Sequence, residues 1–348
     1  MSGLGIESRA ARLALLATCV LVLAMVGVYF QGGRLGVDYV RTEQLRRHLE
    51  VVEGRAGNPT QYRVLSEWLV EKWLRLVDGM GVRDPIVSGF LSFRVLQNIV
   101  ILALASVYYR RLGLSDFSVL AALGVITWSM THSLFDSDLS FNLYSDLIFY
   151  LAAGLLVLLD RDPWLIPLLG LAALNRETNG LMVVFYLLAR YRRGRGWDRR
   201  TIVIAACALG VLVAVYAGVR LALGPRALIL PHGRTPGLDL FSYNVFRPET
   251  WVHLAASWSV FPLIALLAYR QLPSTLRRWL ISIPPIWLLL HLFLAVAAEV
   301  RIMLMPQLML FVPAAFIGLQ GGGQPTGASV AMDAANRRGA DPKPDGAA

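Results

Sequence analysis

Cysteine is nearly missing from this chain. Its 348 residues include two, Cys19 and Cys207, and both fall inside apolar segments, so the sequence supports no disulfide framework and says nothing about redox compartment. Charge is also scarce, at 16% Asp, Glu, Lys and Arg against 56% hydrophobic residues, with a mean hydropathy of +0.56. That balance argues against a large water-soluble core and for a polytopic membrane protein. No H-E-x-x-H or comparable ligand spacing occurs, so no cofactor is expected; a divalent metal stays open as an alternative but is not indicated. The formal net charge is +10. Its basic residues sit at the ends of apolar runs, and no aromatic-rich basic soluble module exists, which argues against nucleic acid as a partner. The excess reads instead as anchoring of a cytoplasmic face against anionic lipid. Neither an internal repeat nor a second domain emerges.

What the chain has in quantity is apolar runs. Segments of about 18 to 23 residues, enough to cross the hydrocarbon core at 1.5 Å per residue, occur near 13–30, 86–109, 114–132, 143–160, 201–223, 252–270, 279–298 and 302–320. Shorter arms at 164–173 and 180–190 bring the expected total to about ten transmembrane helices in one all-α domain, residues 1–320. The first run follows Arg9 and Arg12 but lacks a small-x-small cleavage site before Gln31, so it reads as a retained helix rather than a signal peptide. Residues 321–348, rich in Gly, Pro and Ala, read as a disordered cytoplasmic tail. The Arg cluster from Arg190 to Arg200 marks a cytoplasmic connection by the positive-inside rule, and an even span count puts both termini on that side. A bacterial inner membrane is the expected location. The outer loop at 31–85 opposes this threading with Arg34, Arg41, Arg46 and Arg47.

Within that loop Leu65, Trp68, Leu69, Trp73, Leu76 and Met80 recur at spacings of three and four, opposite Glu67, Glu71, Lys72, Arg75 and Asp78. The pattern predicts an amphipathic helix lying in the membrane interface; a helix packed on protein is the other reading. The polar run Leu174-Asn175-Arg176-Glu177-Thr178-Asn179 splits the two short arms. Charges at membrane depth face the protein interior or a wet cavity, because lipid exposure costs several kcal/mol. Arg176 and Glu177 are therefore expected to wall a polar site, the alternative being an ion pair that splints the broken hairpin. The threading gathers Asp38, Asp136, Asp138, Glu299 and Arg301 on the same outer side. Asp38, followed by Tyr39, is placed to act as a base on a hydroxyl or bind a cation, or to cap a helix beginning near Val40. Asp136 and Asp138 converge on one ligand or one metal, with His132 nearby, or form a solvated acidic turn. Arg226, Arg234 and Arg247 lie in a long Pro/Gly-rich loop and are candidates for phosphate oxygens. Glu299 and Arg301 join the last two spans at the membrane surface. His291 reads as a packed helix residue.

Several of these stretches resemble the C-type (GT-C) glycosyltransferases. Asp38-Tyr39 stands where those proteins carry an acid in their first outer loop, and residues 65–80 resemble their interfacial helix. Gln61-Tyr62-Arg63-Val64-Leu65 and Asn175-Arg176-Glu177-Thr178 resemble short elements of bacterial members. The chain departs from them in carrying one Asp rather than an acidic pair, in lacking a soluble C-terminal domain and in its small size. The resemblance implies a polyprenyl-phosphate-linked sugar as donor and lipid bilayer as partner. Asp38 would then be the base and Arg176, with Arg247 or Arg301, would stabilise the leaving phosphate. Glu177 and Asp138 would orient hydroxyls, and the anomeric configuration would invert. A transporter or flippase for a lipid-linked saccharide or small solute needs many of the same features, and a catalytically inactive envelope scaffold is the third reading.

Overall fold

A computed structural model describes residues 9–134 and 137–320. Asp136 and the tail at 321–348 lie outside the described residues. Among the described residues every regular element is a helix. The long apolar runs give α1 (Arg9–Leu35), α5 (Pro85–Arg111), α7 (Phe141–Leu158) and α10 (Arg199–Leu223), with α6 (Asp116–His132) between α5 and α7. Starts are fixed by caps that occupy otherwise orphaned N–H groups. Asp84 accepts from Val87 N at 3.2 Å with Pro85 at the first helical position, and Asp198 accepts from Thr201 N at 2.7 Å.

The first connection is itself helical. Gly36, at φ 82°, turns the chain out of α1 into α2 (Val37–Tyr39) and a π-helical turn, then α3 (Leu45–Val52). It returns through α4 (Val64–Gly79), which packs on α5 and α3. α4 buries Val70, Leu74 and Val77, a face that the 65–80 pattern did not pick out, and leaves Trp68, Leu69, Leu76 and Met80 exposed. The helix thus has two apolar faces: one seals against protein, and the other is the set an interfacial lipid layer would cover.

α8 (Leu165–Ala173) and α9 (Leu181–Arg190) form the broken hairpin. Nine and ten residues reach only about 14–15 Å, half of a hydrocarbon core. Arg190 at the end of α9 returns to Asp162, just before α8, with Nε 3.0 Å from its carboxylate. Both arms therefore begin and end at the same end of the bundle, and the tip meets the first turn of α4, where Leu174 O accepts from Leu65 N. The remaining elements are α11 (Leu238–Phe246), α12 (Pro248–Trp258), α13 (Phe261–Leu267), α14 (Ser274–Leu294), the single turn α15 (Leu304–Pro306) and α16 (Val312–Leu319). A side chain at Gly318 would collide with Ala268, so α16 seats directly on the turn after α13.

The expected count of about ten spans is met in part by this architecture. Among the described residues five helices are long and apolar enough to cross a membrane: 10–35, 85–111, 141–158, 199–223 and 300–319. A sixth arises if α12 and α13, bent by 61° at their break, act as one. The hairpin arms are too short, α6 stops at 17 residues, and α14 devotes its first turns to Arg277 and Arg278 and holds Pro284 and Pro285. The chain is an all-helical protein with the apolar helices of a multi-pass membrane protein.

Candidate functional site

The tip of the hairpin folds onto α7 around one carboxylate. Oδ1 of Asp146 accepts from Asn175 Nδ2 at 2.6 Å and from Asn179 Nδ2 at 2.7 Å, while Oδ2 lies 3.4 Å from an Nη of Arg176. All four residues are buried. The four-residue spacing of the two asparagines lets the irregular turn aim both amides at the same oxygen. Asn175 also donates to the carbonyl of Asn142 at 2.6 Å and accepts from Ser66 of α4. Leu65 N donates to Leu174 O at 3.1 Å, and Arg63 meets Glu177 at 2.6 Å. α4 is thereby fastened to the tip by its own first turn.

A second knot forms where the α6–α7 loop meets the chain before α15. Asp138 is bonded by Arg47 Nη1 at 2.6 Å, by Arg301 and by Ser140, and Arg301 also reaches Glu299 at 2.6 Å. Burial alone would push the Asp138 carboxyl up; Arg301 and Arg47 outweigh it and hold the group well below the usual carboxylate range. Tyr39 is half-buried here. Burial raises its hydroxyl pKa, and it feels Arg47, Asp138, Glu43 and Arg301. The two knots are neighbours, for Arg176 feels Arg301 as well as Arg63, Asp146 and Glu177.

Beneath them lies Arg94, on α5 and 0% exposed. Its guanidinium stands over the Tyr144 ring at 3.4 Å and 5.1 Å from the Phe141 centroid, and none of its three nitrogens has a hydrogen-bond partner among the described residues. The Nε atoms of Arg63 and Arg176 are likewise buried and unsatisfied. Single open nitrogens also occur on Arg110, Arg220, Arg226 and Arg247; Arg94 differs in having all three open, and a fully buried guanidinium of that kind calls for an explanation such as an anion or ordered water.

Of the residues anticipated from sequence, Arg176, Glu177, Asp138, Glu299, Arg301 and Tyr39 come together at this end of the bundle. Asp38 does not join their ion pairs. Its side chain is 98% exposed, with Arg41 3.7 Å away, and the N-cap position of the short helix belongs to Gly36. Arg247 sits at the α11–α12 corner, 3.5 Å from Glu249 and over Tyr243. His291 is buried on α14 against Trp287 and bonded to its carbonyl at 2.8 Å. Sequence reasoning named Arg47, Arg63 and Asn179 without giving them a role in the site, and it missed Arg94 and the central role of Asp146. Arg94 carried a signal, being a lone charge within the apolar run 86–109. Among the described residues no group of three or more His, Cys, Asp or Glu side chains is placed to hold a metal ion.

The outer helices hold a titratable lock of their own. His48 on α3 is buried with Glu67 2.6 Å from Nδ1 and Glu71 3.0 Å from Nε2. Burial lowers the His48 pKa, the two carboxylates raise it more, and the net is above the ordinary 6.5. A folded-state pKa raised in this way gives stability that is fully present below pH 6.5 and is lost as pH climbs through the folded value. Glu71, held below its ordinary 4.5 by His48, contributes above that pH and loses its share on acidification. The melting temperature is expected to fall from pH 6.5 toward pH 9 in the native protein, and the fall is expected to disappear in His48→Gln. An equal alkaline slope in both would assign the dependence to other groups.

No known family model, curated protein or solved structure matches the chain.

Proposed function

We propose that the chain is a membrane transferase that moves a sugar from a polyprenyl-phosphate donor to an acceptor hydroxyl at the end of the bundle capped by α4. The observation that carries this reading is Arg94, all three of whose buried guanidinium nitrogens lack an acceptor among the described residues, whereas Arg63 and Arg176, like Arg110, Arg220, Arg226 and Arg247, each leave a single nitrogen open. A phosphate supplies oxygens of the right charge and geometry for such donors. The exposed apolar residues of α4 supply a surface beside which a polyprenyl tail can lie. In the displacement, the acceptor oxygen forms a bond to the anomeric carbon while the bond from that carbon to the phosphate oxygen breaks. The phosphate leaves with the electron pair, and its charge develops against the arginines, where preorganised donors act most strongly.

The proton must go to a carboxylate free to receive it. Asp138, Asp146 and Glu177 are each held by a guanidinium within the buried knots; the base in this reading is Asp38, the acid that the resemblance singles out, which is exposed to solvent with Arg41 3.7 Å away. Asp38→Asn is expected to lower transfer from labelled polyprenyl-phosphate sugars by about 10²–10⁴-fold, the usual contribution of a general base, with inverted configuration in the product. Undiminished transfer in the variant removes Asp38 from the reaction. The same reading places the arginine-rich loop at 191–200 and both termini in the cytoplasm of a bacterium, with the transferase end facing outward.

The re-entrant geometry of α8 and α9 favours a second reading, a carrier for a lipid-linked saccharide, because broken helices that meet near a polar cluster are a transporter device. Uptake or flipping in proteoliposomes with no covalent product would select it over the enzyme.

A further inference from the structure

At the end of the bundle away from Asp146, the structure contains a cavity of about 870 Å³. It opens where α7 and α9 finish and α10 and α14 begin, and its rim includes Arg190, Arg192, Arg193, Arg195, Arg277 and Arg278. Two acids, Asp160 and Asp198, also line it. Both already serve the scaffold: Asp160 pairs with Arg190 at 2.7 Å and Asp198 caps α10. Arg190 is further held by Asp162, and Arg278 donates to the carbonyls of Ala189 and Tyr191 at the end of α9.

The loop that presents the other arginines is built rather than loose. Arg192 N donates to Gly196 O at 3.0 Å and Gly196 N to Arg192 O at 2.8 Å, closing a tight turn. Gly194 and Gly196 adopt φ of 84° and 70°, which other residues rarely adopt. Trp197 Nε1 ties the turn to Leu187 O at 2.7 Å, and the Tyr191 ring packs edge-on against Trp197. Across the cavity, Arg277 stands near the Tyr269 ring at 5.9 Å. Arginine dominates throughout, with lysine confined to Lys72 and Lys343 in the whole chain; a forked, always-charged donor suits phosphate oxygens better than an ammonium does.

We propose that this cavity is a binding site for a phosphate-bearing anion, with Arg192, Arg193 and Arg277 as its contacts and Arg190 and Arg278 as the residues that hold its walls. The volume suits a multi-oxygen group larger than one phosphate. A basic pocket between helix ends with tyrosines and a tryptophan beside it matches the setting in which phospholipid headgroups are held at a membrane surface. A soluble diphosphate offers the same chemistry. The site is independent of the transferase reading, since none of these residues contributes to the knots around Asp146 and Asp138.

The test uses the full chain in neutral detergent, with its melting temperature measured against inorganic diphosphate and, separately, against a cardiolipin titration. Saturable stabilisation is expected from at least one ligand, weakened at least tenfold in apparent affinity by Arg192→Gln/Arg193→Gln/Arg277→Gln and measurably by Arg277→Gln alone. Response to cardiolipin only assigns a headgroup, response to diphosphate only assigns a free ligand, and response to both assigns the shared phosphate chemistry. Arg199→Gln/Arg200→Gln, which removes neighbouring charge that does not line the cavity, is expected to leave the titrations unchanged. An equal loss in that control, or no saturable response to either ligand, overturns the proposal.

Discussion

Asp146→Ala is expected to lower the stability of the folded protein by about 3–5 kcal/mol, the range measured when one partner of a buried ion pair is removed. The loss has three parts with one cause. Arg176, 3.4 Å away, keeps its charge and loses the counter-charge that offset its desolvation. Asn175 and Asn179 lose the acceptor they share, although each retains a backbone carbonyl, Asn142 O and Ala172 O. The tip of the hairpin then has only Leu65 N, Ser66 and the Arg63–Glu177 pair to hold it against α4. Asp146→Asn keeps the volume but places an amide among three donors, so it is expected to recover little. The double variant Asp146→Ala/Arg176→Met removes the stranded charge and is expected to regain a large part of the loss. A melting temperature for Asp146→Ala within a degree of the native value would mean that the tip is held by backbone contacts alone, and that Asp146 is not its organiser.

The runs that became the longest helices were legible because length and apolarity suffice to define them: 86–109 extends to Pro85–Arg111 and 201–223 to Arg199–Leu223, with caps at Asp84 and Asp198 setting the starts. The break at 174–179 was equally legible, since a stretch of polar residues between two short apolar arms has no other use in a membrane. Its direction was not. Whether a hairpin crosses or turns back depends on where Arg190 finds its counter-charge, and Asp162 lies 28 residues away. The same limit hid the centre of the site: Asp146 meets its asparagines across 29 and 33 residues, a separation that no local pattern encodes. Asp38 illustrates the converse. Its place at the end of the first span was read correctly from hydropathy, but the turn after Gly36 decides which way its side chain points, and it points to solvent. For α4 the periodicity identified the exposed apolar stripe and passed over Val70, Leu74 and Val77, because on a helix apolar on two sides the stripe with the aromatics dominates the pattern.

Arg94→Met is expected to stabilise the ligand-free protein by about 1–4 kcal/mol, taking as the scale the gain found where buried ion pairs are exchanged for hydrophobic residues of similar volume. The sign follows from comparing two magnitudes. A guanidinium taken out of water with no acceptor costs several kcal/mol even after relaxation. The attraction of the Tyr144 and Phe141 faces returns roughly 2 kcal/mol in a desolvated site. A cation retained at a net cost is a feature of function rather than of folding, and stability and activity are then expected to move in opposite directions. The native protein should accordingly gain stability with a polyprenyl monophosphate in detergent, following the logarithmic dependence of a ligand that binds only the folded state. Arg94→Met should start higher and respond less. A variant that melts below the native protein without ligand, yet gains as much from it, would show that Arg94 is a packing residue whose charge is adequately served by the two rings, and the anion would have to be held by Arg63, Arg176 and Arg301 alone.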